Sequence, residues 1–431
     1  MAQQKNPSAP VQVDGDYPAA EPLFFDFDLY ADTLTALIAN KENATPLIMG
    51  IHGAWGSGKT TLMKAIKDRL DGQGLSDTRR YRRCKTIWYS AWKHSRQDQP
   101  LAAVIEAVFK GMAADGFFSL ARAKIETATK RIDKSLVFQS ISRLIAGADI
   151  SEFFSEWAYR EQLGYFDTFQ KFYHDLIWIF LNWRFKLTGQ EKPDDKKAAL
   201  VIFIDDLDRC PQPGIIKLLE AIQLFLDRSG CVFVLAADAG NIGAALEQEY
   251  GAANACGHLQ KIFQLGFHLP KIQSEQCQEL VAQRRKEHQE IKDLLPVLLP
   301  ALGNNPRQLK RFLNEMNLLA GLVRNTGADI ERDQVLLLGV LFRCFASLAF
   351  SLKEDPPMLD ALQQQIALLV EKSDDAPIWQ LTDEQLHEYG VPPAFHAHLQ
   401  TPHLADIVGR MAISGDQLAH LYRLAGTVCR R

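Results

Sequence analysis

The sequence predicts an α/β chain: a parallel sheet with helices on both faces, three layers in all, carrying a helical insertion and followed by an all-helical C-terminal region. Three observations predict it. A glycine-rich loop at residues 53–60 sits between a short apolar strand-type run and a segment with helical spacing. A wholly apolar run at 199–204 delivers two acids, Asp205 and Asp206, at its C-terminal end. Strand-type and helix-type runs alternate up to residue 269, and from Ser274 onward the pattern is helical only. Alternation of this kind builds parallel sheets with crossover helices on their faces.

The composition allows such a core. A chain of 431 residues holds two to three units of roughly 100–200 residues each. With 47% hydrophobic and 23% charged residues it reads as an ordinary globular protein. The net charge of −4 makes no overall electrostatic case for nucleic acid, leaving only the question of a local patch. Seven cysteines, scattered and without a C-x-x-C pair, form neither a zinc site nor a disulfide framework. A reducing cytoplasm is the expected compartment. Residues 1–22 lack the apolar core of a signal peptide and are polar and rich in Ala and Pro, so a disordered tail is expected.

Ahead of the loop, residues 31–39 are helical by spacing. Phe27 and Tyr30, just before that stretch, read either as core or as a surface for a nucleotide base. Residues 46–52 (Pro-Leu-Ile-Met-Gly-Ile-His) form the first strand. Then comes Gly53-Ala54-Trp55-Gly56-Ser57-Gly58-Lys59-Thr60, which fits the phosphate-cradling pattern G-x-x-x-x-G-K-[ST]. Thr61 opens a helix with apolar residues at 62, 63, 66 and 70. The glycines let the backbone bend and turn several N–H groups onto a polyphosphate. The helix N-terminus adds its partial positive charge. Lys59 is expected on the β and γ phosphates, and Thr60 on Mg²⁺. A plain glycine turn before an amphipathic helix is the simpler reading, against which both flanks weigh.

After this helix, Arg79, Arg80, Arg82 and Arg83 form a basic run, either a solvated loop or a nucleic-acid contact. Residues 86–91 are a β-branched and aromatic strand, and 100–109 a helix. Residues 111–190 read as helical throughout. Their richest apolar run, 176–181, is far shorter than the about 20 residues that span a membrane. The aromatic residues Phe153, Phe154, Trp157, Tyr159, Tyr165 and Phe166 mark either a buried seam or a partner groove.

The strand at 199–204 then places Asp205 and Asp206 where ligands gather, at the carboxyl ends of parallel strands. Asp205 is expected to orient Mg²⁺ through its water shell and Asp206 to polarise an attacking water. The extra strand at 86–91, lying between the two phosphate motifs, points to the branch of P-loop triphosphatases that uses an acid after the magnesium ligand. Helices at 214–226 and 242–250 and strands at 231–237 and 263–269 complete a five-stranded sheet. Asp238 stands either where a γ-phosphate is sensed or as a helix cap. Beyond it, Pro306 opens a helix whose first turns carry Arg307, Lys310 and Arg311. The dipole disfavours cations there unless an anion sits opposite, so they face either a triphosphate or solvent. A single apolar helix is expected over 335–352, further helices over 358–372, 382–389 and 405–412, and a basic tail at 427–431. The organisation is thus a tail at 1–22, a core at 23–270 with its insertion at 111–190, a helical lid at 271–330 and a helical region at 331–431.

Five stretches together resemble the KAP family of P-loop NTPases. They are the 53–60 loop, the strand ending Tyr89-Ser90-Ala91-Trp92, Asp205-Asp206-Leu207-Asp208-Arg209, Leu259-Gln260-Lys261-Ile262-Phe263, and Asn305-Pro306-Arg307-Gln308-Leu309-Lys310-Arg311-Phe312-Leu313-Asn314. The likeness covers about residues 22–325. It implies ATP hydrolysis with Asp205 on magnesium, Asp206 as the catalytic acid residue and Arg307 as a lid arginine on the γ-phosphate. Many relatives carry membrane helices between the two phosphate motifs. That interval here reads as soluble helices, so no membrane span is expected. Bacterial relatives often sit in antiviral defence clusters. The expectation is therefore an ATP- and Mg²⁺-dependent switch in signalling or defence that self-associates or acts on a separate effector protein. Asp208 and Arg209 are candidates for coupling to a neighbouring subunit. A small-molecule or nucleotide kinase and a non-hydrolysing nucleotide-binding scaffold are the alternatives. ATP is favoured by default, since no guanine signature is present.

Overall fold

The structure is a computed structural model and describes residues 26–72, 77–94, 100–117, 166–187, 196–225, 230–270, 276, 293–372 and 377–428. The chain divides at Pro270 into two compact units. The first holds a five-stranded sheet: β1 (Leu47–His52), β2 (Arg83–Ser90), β3 (Ala198–Asp205), β4 (Cys231–Ala237) and β5 (Leu265–His268). The spatial order is β2-β3-β4-β1-β5, and every neighbouring pair is parallel. Residues of β3 and β4 are buried along their whole length, as both faces are covered.

One face carries α1 (Phe27–Ala39) and α2 (Lys59–Asp71). Leu62, Met63, Ile66 and Leu70 of α2 form the buried stripe that the sequence spacing predicts, against Met49, Ile51, Phe203 and Val234. The opposite face carries α3 (Pro100–Ala114), α4 (Phe166–Phe185), α5 (Gln212–Phe225), α6 (Ala239–Tyr250) and α7 (Ala252–Ile262). Their apolar sides close over Ile48, Ile202, Ile204, Phe233 and Leu235. These are the three layers expected.

The sheet has the added-strand arrangement, but the added strand is not the one near 86–91. The strand that separates β1 from β3 in space is β4; the strand near 86–91, observed as β2, lies on the far side of β3. Chain order between two motifs does not set spatial order, because each crossover helix carries the chain past its neighbour. Of the 111–190 insertion, residues 118–165 and 188–190 lie outside the described residues, and so do five of its six named aromatics and the 1–22 tail. Its last part is α4, where Tyr173, Leu176, Ile177, Trp178, Phe180 and Leu181 are buried against the sheet.

The second unit is helical: α8 (Leu295–Ala301), α9 (Pro306–Thr326), α10 (Arg332–Cys344), α11 (Ala346–Glu354), α12 (Met358–Lys372), α13 (Asp383–Glu388), α14 (Pro393–Leu399), α15 (Leu404–Gly409) and α16 (Gly415–Val428). Helix α9 packs on α10 and α16, so residues on both sides of position 330 share one core. The single helix expected over 335–352 is two helices bent by 116°. Phe345, at φ −130° and ψ 56°, leaves helical geometry and is itself buried, and the turn brings Leu348 and Leu352 into the same core. Helix α16 begins well before the basic tail expected at 427–431, of which residues 429–431 lie outside the described set. Among the described residues no single helix is long and apolar enough to cross a membrane.

Candidate functional site

The site assembles at the carboxyl ends of β1 and β3. Strand β1 ends at His52, the loop turns through Gly53–Gly58, and α2 starts at Lys59. Gly58 has φ 102°, and a Cβ there would stand 2.7 Å from the Phe27 ring. Only glycine meets both demands. Phe27 is therefore core, packed beneath the loop, while Tyr30 rests against Phe267 of β5 with ring centroids 5.4 Å apart. Inside the loop the Ser57 hydroxyl is buried and has no hydrogen-bond partner. Ala54 and Trp55 are exposed at the loop's tip, and Thr61 is half-buried in the first turn of α2.

Lys59 is buried, and its ammonium donates to the carbonyls of Gly53 (2.8 Å) and Ala54 (3.2 Å). It also pairs with Asp208 Oδ2 at 3.0 Å, each side chain only 8% exposed. Thr60 Oγ1 donates to Asp205 Oδ1 at 3.1 Å, which joins the loop helix to β3. Asp205 is 5% exposed. Burial, and then the neighbouring Asp206 carboxylate, raise its pKa above the ordinary aspartate value. The Asp206 N–H donates to Asp205 Oδ1 at 2.9 Å, a bond that favours the charged form.

Asp206 has left-handed geometry (φ 60°) at the start of a 3₁₀ turn, Leu207–Arg209. Its carboxylate accepts from Ser90 Oγ at 3.2 Å and pairs with Arg209 Nε at 3.0 Å. Sequence reasoning quoted Ser90 only within the second strand; the signal was its place at the end of β2, in register with Asp205. His52 was also missed. Its imidazole is buried at the end of β1, 4.8 Å from the His268 ring, and its Nδ1 has no hydrogen-bond partner. Burial first, and then His268, lower its pKa below the usual histidine value.

The remaining residues fall as follows. Asp238 Oδ1 accepts from the Gly240 N–H at 2.9 Å and caps α6, one residue after the β4 position paired with His52. Arg307 lies in the first turn of α9 in the C-terminal unit, where Asn305 Oδ1 accepts its backbone N–H at 3.0 Å. Two members of the basic run are tied into the fold. The buried Arg82 donates to the Asn40 and Asn43 carbonyls, and Arg83 to the Phe185 carbonyl.

These residues fit a nucleotide polyphosphate and a hard divalent cation. The orphaned Ser57 hydroxyl and the glycine cradle suit phosphate oxygens. A hydroxyl and a carboxylate in contact, Thr60 and Asp205, are the small all-oxygen donor set that Mg²⁺ takes when phosphate and water complete its shell.

A parallel sheet with a glycine loop at the end of β1, and paired acids two strands away at the end of β3, defines a P-loop NTPase fold. The family model of the KAP family P-loop domain matches residues 27–323, and the chain belongs to that family. Three solved structures are distantly similar. The Aeropyrum pernix ORC2 protein (ADPNP–ADP complexes) is 12% identical, with 96% of this chain and 97% of that one covered and a TM-score of 0.41. The Aeropyrum pernix ORC1 protein in complex with DNA is 13% identical, with coverage of 95% and 85% and a TM-score of 0.36. Drosophila ORC bound to DNA is 13% identical, with coverage of 95% and 87% and a TM-score of 0.29. A search of curated proteins returns no match.

Proposed function

We propose that this chain is a Mg²⁺-dependent ATPase that acts as a conformational or assembly switch, in a signalling or antiviral defence system of the cytoplasm. The observation that carries the reading is the Thr60–Asp205 contact, with Lys59 and Asp206 each one residue away in the chain. Thr60 and Asp205 would hold Mg²⁺, which when bound neutralises charge on the phosphoryl oxygens. Lys59, Ser57 and the loop N–H groups bind the phosphates, with Gly53, Gly56 and Gly58 shaping the cradle. Asp206 accepts a hydrogen bond from the attacking water and orients it toward the γ-phosphorus. Arg307 is the lid arginine, a role supported by kinship alone. The defence setting and a separate effector or second copy as partner rest on the same support.

A second reading, a nucleotide-binding scaffold that turns over slowly or not at all, is favoured by one observation. Both chemical groups are engaged within the chain, Lys59 by Asp208 and Asp206 by Arg209. The test is phosphate release from ATP and GTP by the purified full chain with Mg²⁺. Release of inorganic phosphate from ATP supports the switch ATPase. ATP binding with no release supports the scaffold, and a phosphorylated acceptor in place of free phosphate would mean a kinase.

A further inference from the structure

Lys59 and Asp208 are brought together across 149 positions of chain, and nothing in the phosphate-loop pattern requires Asp208 to be there. An ammonium has three N–H donors. All three of Lys59 are satisfied, by Gly53 O at 2.8 Å, Ala54 O at 3.2 Å and Asp208 Oδ2 at 3.0 Å. The first two acceptors belong to the loop itself. The third is the only one of the three that carries a full negative charge, and it is as buried as the lysine.

We propose that Asp208 is an internal stand-in for phosphate, occupying the anion position on Lys59 in the nucleotide-free chain, so that a polyphosphate binds only by displacing it. The proposal rests on the reading of residues 53–60 as a nucleotide site and deepens it, because it names a residue that sets nucleotide affinity from within. Two anions cannot share one buried ammonium without strong repulsion. The arriving phosphate therefore takes the Lys59 donor and expels the Asp208 carboxylate. Asp208 is on the same 3₁₀ turn as Arg209, and Leu207 between Asp206 and Asp208 is fully buried. The turn is pinned at its apolar residue, so expulsion of Asp208 acts on the stretch that holds Arg209 against Asp206. Nucleotide arrival and the freeing of Asp206 are then one event.

The state able to bind is the one with Asp208 off Lys59. If it makes up about a tenth of the empty chain, removing the carboxylate tightens binding roughly tenfold. The experiment uses the full chain and titrates ADP and ATP calorimetrically into wild type, Asp208→Asn, Asp208→Ser and Asp208→Glu, with melting curves without nucleotide. The expected result is about tenfold tighter binding by the two neutral variants, with a lower melting temperature when empty because Lys59 has lost its counter-ion. Asp208→Glu should stay near wild type. Equal or weaker binding by the folded neutral variants, with wild type still binding ATP, would overturn the proposal and leave the site reading intact. If wild type binds neither nucleotide, both fail together. A measurement that needs no variant is carbodiimide labelling of wild-type carboxylates read by mass spectrometry. Asp208 should be protected when empty and labelled when saturated with ADP, and protection unchanged by ADP contradicts the displacement.

Discussion

Thr60 Oγ1 and Asp205 Oδ1 lie 3.1 Å apart although 145 positions separate them in the chain. They also reach each other across a strand, because β4 stands between β1 and β3. The contact exists because the loop turns α2 back over the strand ends just where the last residue of β3 points up from a buried apolar run. That geometry places a hydroxyl, a carboxylate and an ammonium around one small volume.

The loop depends on a backbone that only glycine adopts at position 58. Gly58→Ala meets φ 102° and the Phe27 ring at 2.7 Å together. The expected loss is more than about 1 kcal/mol, which lowers the melting temperature by roughly 2–4 °C in a domain of this size. Stabilisation by ATP should vanish as well. Phe27→Leu in the same chain should restore only the steric part, since the dihedral penalty stays. Melting curves with and without ATP check this.

His52 makes stability depend on pH. Burial first and His268 second lower its pKa; the Ala237 backbone and the Asp238 charge oppose this, and the Lys59 charge adds to it. The unfolded chain therefore takes up the proton more readily than the folded one. The contribution to stability is fully present above the unfolded value of 6.5 and is lost as pH falls through the lower folded value. His52→Gln should flatten the fall of the melting temperature as the pH drops below 6.5. A profile as steep as wild type would place the acid sensitivity elsewhere.

Arg209 is 42% exposed while it holds Asp206, so the same guanidinium is open to a neighbouring chain. If it acts in trans, Arg209→Ala should lower ATP turnover by on the order of 10³ and remove any rise with protein concentration. If it only restrains Asp206 within its own chain, the variant should instead turn over faster. Initial rates over a range of concentrations separate the two.

Much of this was legible in the residues because it rests on local chemistry. A run such as Cys231–Ala237 is apolar at every position, and a strand buried on both faces is its simplest fate. The loop and the paired acids are local patterns with local causes. What was not legible depends on residues far apart or on weak spacing. Helix α7 follows α6 after the single residue Gly251, and its inward side is carried by Ala255, Leu259 and Ile262, too few apolar residues over eleven positions to mark it off from its neighbour. The bend at Phe345 falls in a mostly apolar run with no Gly or Pro at the break, and Arg343 alone did not mark a helix end. Asp208 looked like a link to another subunit, and its contact with Lys59 arises only once five strands have set the distance. Ser90 reaches Asp206 for the same reason, through the pairing of β2 with β3.

The most direct test of the central claim is ATP hydrolysis by wild type and Asp206→Asn, each titrated over protein concentration with Mg²⁺ present. The variant keeps the side chain's shape but replaces one accepting oxygen by an amide donor and loses the charge that polarises water. The account predicts phosphate release by wild type that rises per chain with concentration, and a variant that still binds ATP but releases on the order of 10²–10⁴-fold less phosphate. Equal release by the two proteins would contradict it.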